Sequence, residues 1–344
     1  MAKPEHFNSE QELDEFITRP DQEVMDMLSK LDGDIMILGI GGKVGSHVGG
    51  MIQRGIDTLG IDKQVYGVSR FSDQAAKQEL EENGITTISC DLLNLDEVKT
   101  LPQVKNIIFM AGKKFGTSGS THVTWAMNTL VPKNVCEHFS ESRFVAFSTG
   151  CVYDLMDIKQ MGAIEENDIT PVGDYSNSAV GRERVFEYYA ETHKLPTLLF
   201  RLNYAIDLRY GVLLEIAQSV YAGKPIDVTM GHVNVIWQGD VVRQAILSLN
   251  HCETPARPLN ITGPETVPVR YLAQEFAKRF GKEVQFTGVE KETALLSNAS
   301  RASQLFGYPK VSLLSMIDWT AHWVANSGET LNKPTHFETR DGKY

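Results

Sequence analysis

The sequence has few cysteines and no long apolar run, and each absence excludes a class of protein. Four cysteines occur among the 344 residues, with no C-x-x-C pair and no histidine at ligand spacing: Cys90, Cys136, Cys151 and Cys252. This pattern argues against a disulfide framework and a zinc site, so we predict reduced thiols and no metal. No stretch approaches the ~18–20 apolar residues that span a bilayer, and no membrane span is predicted.

Positive charge is also scarce. The chain has 33 lysines and arginines against 44 acidic residues, a net charge of -11 at pH 7. Such a surface repels nucleic acid and anionic membranes, so we expect neither as a partner. The first residues are acidic and polar and lack the apolar centre of a signal peptide. We therefore expect a cytoplasmic protein that binds a small-molecule substrate.

A glycine-rich turn directly follows a short apolar segment at residues 35–38. The turn contains Gly39, Gly41, Gly42, Lys43, Val44 and Gly45. Glycine lets the backbone turn tightly and approach a ligand, and the N–H groups at a helix N-terminus hold phosphate. The spacing is G-x-x-G-x-x-G, whereas the commoner fingerprint is G-x-G-x-x-G, and a purely structural turn is the alternative. We predict that these six residues bind a dinucleotide.

Apolar segments alternate with amphipathic ones after this turn. Further strands are predicted at residues 64–68, 86–90, 106–110, 143–147 and 197–202. Alternation at this spacing predicts an α/β fold, a Rossmann-type doubly wound parallel sheet with a smaller C-terminal substrate-binding lobe. The expected organisation is a helical arm (1–31), a dinucleotide-binding domain (32–204, with returning segments at about 236–264), the lobe (205–235 and 265–332) and a tail (333–344). The tail could dock on the body, dock on a partner subunit or be disordered.

The residues at the strand ends favour NADP as the cofactor. An NAD-preferring site usually places Asp or Glu after the second strand, to accept hydrogen bonds from the ribose. Ser69 and Arg70 stand there instead, and a hydroxyl with a guanidinium can hold a 2′-phosphate. Lys43 adds positive charge, NAD is the alternative cofactor, and Arg70 could also be a solvated loop residue. Further cofactor contacts are expected from Asp91, Leu92, Ala111 and Gly112.

The order of these motifs resembles the extended short-chain dehydrogenase/reductase superfamily of epimerases, dehydratases and reductases. The resemblance is carried by the glycine turn, Asp91, Asn128, the segment Ser148-Thr149-x-x-Val152-Tyr153, and Tyr175. It continues through residues 237–241, 259–263 and 298–302. It implies that Thr149 hydrogen-bonds the reacting oxygen, that Tyr175 transfers the proton and that Asn128 belongs to the cofactor site. It also implies a homodimer formed by the helices beginning near His122 and Tyr175.

Position 179 departs from the family pattern. The family has a lysine four residues after its tyrosine, where it binds the nicotinamide ribose and lowers the tyrosine pKa, whereas this sequence has Ala179. An unassisted tyrosine has a pKa near ~10, so about one in a thousand is ionised at pH 7. Oxidation needs tyrosinate and is expected to suffer more than reduction. Lys113 or Lys114 could supply the missing charge, or both could be solvated loop lysines.

The interval between Tyr204 and Asp240 is short and poor in arginine. Arg209 is its main basic residue, which makes a weak case for a diphosphate. This favours a small polyol, sugar acid or keto-sugar over a nucleotide sugar. The candidate substrate-binding residues are Thr117, Asn203, Arg209, His232, Asn234 and Trp237, of which Trp237 could equally lie in the core.

The sequence therefore predicts an NAD(P)-dependent oxidoreductase or epimerase acting on a carbohydrate-like carbonyl or alcohol. One alternative is a nucleotide-binding sensor or scaffold whose catalysis decayed with the lysine. The other is a non-redox isomerase or lyase that uses Lys113 or Lys114 as base. The retention of both Thr149 and Tyr175 favours the first hypothesis, because a decayed site needs neither.

Overall fold

A parallel sheet forms the centre of the computed structural model, which describes residues 4–112 and 120–342. Within these residues the sheet has seven strands: β1 (Ile35–Leu38), β2 (Val65–Ser69), β3 (Thr86–Ser89), β4 (Asn106–Phe109), β5 (Arg143–Thr149), β6 (Thr197–Leu202) and β7 (Arg257–Ile261). Their order is β7-β6-β5-β4-β1-β2-β3, and every neighbouring pair is parallel. This confirms the predicted doubly wound α/β fold. The strand order reverses between β1 and β4, where such sheets open a crevice for ligands.

Helices cover both faces of the sheet. They are α1 (Glu10–Ile17), α2 (Gln22–Lys30), α3 (Gly45–Leu59), α4 (Gln74–Glu82), α5 (Leu95–Val98), α6 (Thr121–Trp125), α7 (Val131–His138), α8 (Gly173–His193), α9 (Val212–Tyr221), α10 (Gln238–Leu247), α11 (Val269–Phe280), α12 (Ser300–Phe306) and α13 (Leu313–Ala325). A π-helical turn (Ala126–Leu130) joins α6 to α7, and 3-10 turns occupy Gly150–Val152, Ile158–Gln160 and Ser248–His251. Across residues 4–112 and 120–342, none of the helices has the length and apolar character needed to cross a bilayer.

Short two-residue strands pair outside the main sheet. The pairs are Met156–Asp157 with Thr293–Ala294, Ala205–Ile206 with Ile236–Trp237, Ile226–Asp227 with Phe286–Thr287, and His232–Val233 with Val267–Pro268. Because each pair joins segments distant in sequence, these strands tie the C-terminal part of the chain to the loops beyond β5 and β6.

Strand β1 is buried on both faces of the sheet, which explains why its sequence is a continuous apolar run. Ile35 and Ile37 pack into one core layer, and Met36 and Leu38 pack into the layer on the opposite face. Side chains alternate between the faces of a strand, and a parallel sheet covered on both faces buries them all. The strand is therefore fully buried and holds the glycine turn at a fixed position.

The N-terminal arm docks on the same core. Ser9 and Asp21 cap α1 and α2, and the apolar faces of these helices enter the core layer next to α3. Two arginines from distant segments pair with the arm: Arg209 Nη2 lies 2.6 Å from Asp14, and Arg243 Nε lies 2.5 Å from Asp21. The arm is thus joined to the body by apolar packing and by ion pairs.

Candidate active site

The glycine turn brings the ends of three strands together. Gly39 has φ +98°, and a methyl group added there would lie 2.7 Å from the backbone nitrogen of Ala111, beyond β4. A methyl group at Gly41 would lie 2.8 Å from the Ser69 hydroxyl, at the end of β2. A methyl group at Gly45 would lie 2.7 Å from the carbonyl oxygen of Ile40. At Gly39 and Gly45 the neighbouring backbone leaves no room for a side chain, and at Gly41 a side chain would displace the Ser69 hydroxyl.

The turn opens directly into α3, whose N-terminus suits a phosphate group. No side chain of the described residues caps this helix. The Gly45 N–H donates to the Gly42 carbonyl at 3.0 Å, so a phosphate would be held by the N–H groups that follow it. They carry the positive end of a helix of 15 residues. The close backbone contacts and the uncapped helix fit a dinucleotide pyrophosphate, as the sequence predicts.

The residues predicted to bind the adenosine end of the cofactor differ in their surroundings. Ser69 is half-buried beneath Gly41, and Arg70 is exposed beside it. Asp91 begins a tight turn in which its carboxylate accepts a hydrogen bond from the Leu93 N–H at 3.0 Å. Lys43 does not add its charge to this group as expected, because its Nζ lies over the Tyr210 ring, 3.6 Å from the centroid. A cation is attracted to an aromatic face, which holds this ammonium on the Tyr210 side of the turn.

Thr149 and Tyr175 meet beyond the end of β5. Their side chains are hydrogen-bonded, and the Thr149 hydroxyl also accepts from the Cys151 N–H at 3.2 Å. Burial raises the pKa of Tyr175 to about 12, and the neighbouring Cys151 adds to this shift. Arg182 and the hydrogen bond from Thr149 oppose it. The phenol is therefore neutral at pH 7 and can donate its proton.

Arg182 is the cation that sequence reasoning did not find. Its side chain is 7% exposed, and its charge opposes the raised pKa of Tyr175. Nη1 donates to the Phe147 carbonyl at 2.8 Å, Nη2 donates to the Asn128 amide oxygen, and Nε has no partner among the described residues. A methyl group at Gly112 would collide with Nη2. The guanidinium therefore lies beside the end of β4, close to Tyr175.

Asn128 holds this arginine, and its place in the cofactor site stays a prediction. It is fully buried in the π-helical turn, and its amide nitrogen donates to the Ser178 hydroxyl at 2.8 Å. Ala179, the position of the family's lysine, is 0% exposed and packs with Val152 and Ala163. The charge near Tyr175 thus comes from position 182, one helical turn beyond the usual one.

A second group of tyrosines lies next to this pair. Tyr175 contributes to the pKa of Tyr210, and Cys151 contributes to the pKa of Tyr204. Each of these two pairs therefore lies close together. Burial raises the pKa of both Tyr204 and Tyr210, and the Glu215 carboxyl adds to both shifts. Both phenols therefore stay neutral at pH 7.

Comparison with known proteins assigns the chain to a family. The sequence profile described as the NAD dependent epimerase/dehydratase family matches residues 35–261, more than half of the chain. The chain belongs to this family. Its members are NAD-dependent epimerases and dehydratases, so the chain is an enzyme of a type that uses a nicotinamide dinucleotide. A search of curated proteins finds no significant match.

Solved structures similar to this family member share its architecture. UDP-glucuronic acid 4-epimerase from Bacillus cereus, in complex with UDP-glucuronic acid and NAD, is 19% identical with a TM-score of 0.71, covering 86% of this chain and 99% of its own. The dTDP-glucose 4,6-dehydratase from Streptomyces venezuelae, with NAD bound, is 17% identical with a TM-score of 0.71, covering 85% and 97%. UDP-glucose 4-epimerase from Thermus thermophilus, in complex with NAD, is 18% identical with a TM-score of 0.68, covering 85% and 99%. At these identities the likeness concerns the fold.

Two of the predicted substrate residues of this epimerase/dehydratase family member lie elsewhere. Arg209 is engaged by the carboxylates of Glu10, Asp14 and Asp207, so it cross-links the arm to the body. Trp237 is 1% exposed and packs within the aromatic core, so it does not line a pocket. Both corrections follow from the N-terminal arm, whose docking on this side could not be read from local sequence.

The other predicted substrate and catalytic residues lie in different surroundings, and some of them are outside the described residues. Asn203 donates to the Asn234 amide oxygen at 2.9 Å, and Asn234 donates to the Ser297 carbonyl at 2.5 Å, so both amides hold buried loops together. His232 is half-buried, and burial lowers its pKa, with Glu290 opposing the shift. Its place in the substrate site stays a prediction. Lys113, Lys114 and Thr117 lie outside the described residues.

Proposed function

We propose that the chain is an NAD(P)-dependent oxidoreductase or epimerase that acts on a carbohydrate-like carbonyl or alcohol. The observation that carries this proposal is the hydrogen-bonded pair of Thr149 and Tyr175, placed beside the buried charge of Arg182. A hydroxyl, a proton donor and a cation next to a dinucleotide turn are the groups that carbonyl reduction needs. When bound, the nicotinamide supplies hydride transfer.

Each side chain has a separate task in this proposal. Thr149 hydrogen-bonds the reacting oxygen, and Tyr175 gives that oxygen its proton in the reducing direction. The tyrosinate that remains is stabilised by the positive charge of Arg182, because an opposite charge favours the ionised form. Asn128 and the Phe147 carbonyl fix the guanidinium. Since the phenol starts neutral, reduction is favoured over oxidation at pH 7.

Replacing Arg182 with methionine tests its effect on the proton-transferring group. Loss of the charge raises the pKa of Tyr175 further, so the pH profile for alcohol oxidation is expected to move upward by about one unit. Reduction uses the neutral phenol and is expected to change less. The measurement is the pH dependence of turnover in both directions, with Arg182→Lys as the variant that keeps a positive charge. A purely structural role would lower both directions equally and leave the profile in place.

The cofactor is proposed to be NADP, with NAD as the alternative that the family description favours. Ser69 and Arg70 support NADP, because no carboxylate stands at the end of β2 to repel a 2′-phosphate. With Lys43 held on Tyr210, Arg70 is the residue expected to carry the preference.

A fluorescence titration of the purified protein with NADPH and NADH tests both the function and this preference. NADPH is expected to bind more tightly, and Arg70→Ala is expected to weaken NADPH binding about tenfold without affecting NADH. Lys133→Ala, which removes a remote exposed charge, is the matched control. Equal affinities in the unmodified chain contradict the NADP proposal, and no binding of either nucleotide contradicts the proposed NAD(P)-dependent function.

A homodimer is also proposed. The faces of α6, α8 and the π-helical turn expose large apolar side chains, among them Trp125, Leu130 and Tyr188. These are the helices that the family resemblance implicates in pairing. Exposed large apolar side chains on these adjoining elements support an interface.

A further inference from the structure

The C-terminal segment runs back across the enzyme instead of leaving it. We call residues 331–342 the C-terminal strap. At its start the Leu331 N–H donates to the Arg209 carbonyl at 2.9 Å. Thr335 then donates to the Glu215 carboxyl through both its N–H and its hydroxyl, the latter at 2.9 Å. Phe337 is buried in the main core layer. Of the three alternatives for the tail, docking on the body is the one found.

The second half of the strap contacts two further segments, the residues around Thr293 and the start of α8. Arg340 donates to the Thr293 carbonyl at 2.7 Å and to the Thr293 hydroxyl at 2.5 Å. Gly342 lies against the first residues of α8, where a methyl group on it would be 2.2 Å from the Val172 carbonyl oxygen. Gly173, with φ +82°, is equally close to the Gly342 carbonyl. This contact is two residues before Tyr175.

The groups beside the strap are those of the candidate active site. The Glu338 charge contributes to the raised pKa of both Tyr204 and Glu215, so this carboxylate lies near the tyrosine group. Glu338 itself is exposed. Tyr204 in turn is close to Cys151, which is 7% exposed and lies near Tyr175. The strap therefore runs from α9, where Thr335 bonds Glu215, to Gly173, two residues before Tyr175.

We propose that the C-terminal strap is the outer wall of the substrate site and restricts it to a free sugar or polyol, excluding nucleotide sugars. The proposal rests on the proposed function and specifies its substrate. The strap is anchored to α9, to Thr293 and to the start of α8, the helix that carries Tyr175. Glu338 suits hydroxyl groups, which donate to a carboxylate, and repels a diphosphate. Arg209 and Arg340 are already engaged by protein groups, so neither is free to neutralise one.

Alkylation of Cys151 measures whether the strap covers the pocket, independently of turnover. Iodoacetamide labelling, followed by mass spectrometry of each cysteine, is compared between the full chain and a chain ending at residue 330. Removal of the strap is expected to accelerate labelling of Cys151 about tenfold, because thiol reactivity follows exposure. Cys136, buried on the other face of the sheet, is the internal control.

A point variant guards against misfolding of the truncated chain. Arg340→Ala removes the hydrogen bonds to Thr293 but keeps the anchor between Thr335 and Glu215, and it is expected to accelerate Cys151 labelling as well. Lys333→Gln, at an exposed strap position, is the matched control and should label like the full chain. Equal labelling of Cys151 in all of these chains overturns the wall assignment.

The substrate class is tested on the full chain with UDP-glucose as the probe. Isothermal titration in the presence of saturating NADPH is expected to show no binding of UDP-glucose up to millimolar concentration. Micromolar binding overturns the restriction to free sugars. Failure of both NADPH and NADH to bind would contradict the proposed function, whereas the Cys151 labelling would still report on the strap. The two failures are therefore distinguishable.

Discussion

Tyr175→Phe is expected to lower turnover by about 10²–10⁴-fold, the usual contribution of a positioned proton donor. The substitution removes one hydroxyl and keeps the ring, so the first turn of α8 and its packing should persist. NADPH affinity should be unchanged, because the glycine turn and α3 bind the nucleotide on another element. Steady-state kinetics in the reducing direction, together with the fluorescence titration, measure the two quantities separately.

The control for this substitution is Tyr188→Phe, an exposed tyrosine on the same helix. It should leave turnover unchanged. Thr149→Ala should also lower turnover, and the double variant should lose less than the product of the single losses, because the two hydroxyls act on one oxygen. Normal turnover by Tyr175→Phe would remove Tyr175 from the mechanism.

The sheet and the glycine turn could be predicted because their signals are local. Four consecutive apolar residues indicate a strand buried on both faces, and the following glycines are required by contacts within a few residues of the strand ends. Gly39 illustrates this: it needs a positive φ and no side chain, and both needs are met only by glycine. Such constraints are visible in any sequence that satisfies them.

Arg182 could not be predicted as readily, although a weak signal exists. Residues seven apart lie on the same face of a helix, about two turns along. A long helical side chain points back toward the N-terminus, so a guanidinium at position 182 can reach toward Tyr175. The family pattern directs attention to position 179, which the fold uses for packing. The sequence directed the search for a cation to the loop lysines Lys113 and Lys114. The cation found in the structure is on α8, one turn beyond position 179.

The contacts of Arg209 and Lys43 could not be predicted from local sequence. Arg209 pairs with carboxylates of α1, nearly two hundred positions earlier in the chain, and no local pattern announces that contact. Lys43 lies in the predicted turn, but the ring of Tyr210 determines where its charge goes. Long-range docking decides which charges are free for a ligand, and these two are not where local sequence places them.

A buried ion pair lies beneath the site, and breaking it is expected to cause the second large effect, a loss of folding stability. Glu183 and Arg201 are 0% and 2% exposed in their side chains, and two hydrogen bonds of 2.7 and 2.9 Å join them. Ser148 donates to the Glu183 carboxylate at 2.5 Å, and Arg201 donates to the Tyr153 hydroxyl at 2.6 Å. The network fixes α8 against β5 and β6, so it holds the platform on which Thr149 and Tyr175 meet.

Arg201→Met is expected to destabilise the fold by about 3–5 kcal/mol, because it leaves the Glu183 carboxylate buried and unpaired. Urea unfolding measures the loss. Arg184→Met, which breaks the exposed pair with Glu187, should cost less than about 1 kcal/mol. The double variant Glu183→Leu with Arg201→Met should recover part of the loss, since no charge then remains buried. A small loss in Arg201→Met would mean that water reaches Glu183, and the platform would then owe its rigidity to apolar packing alone.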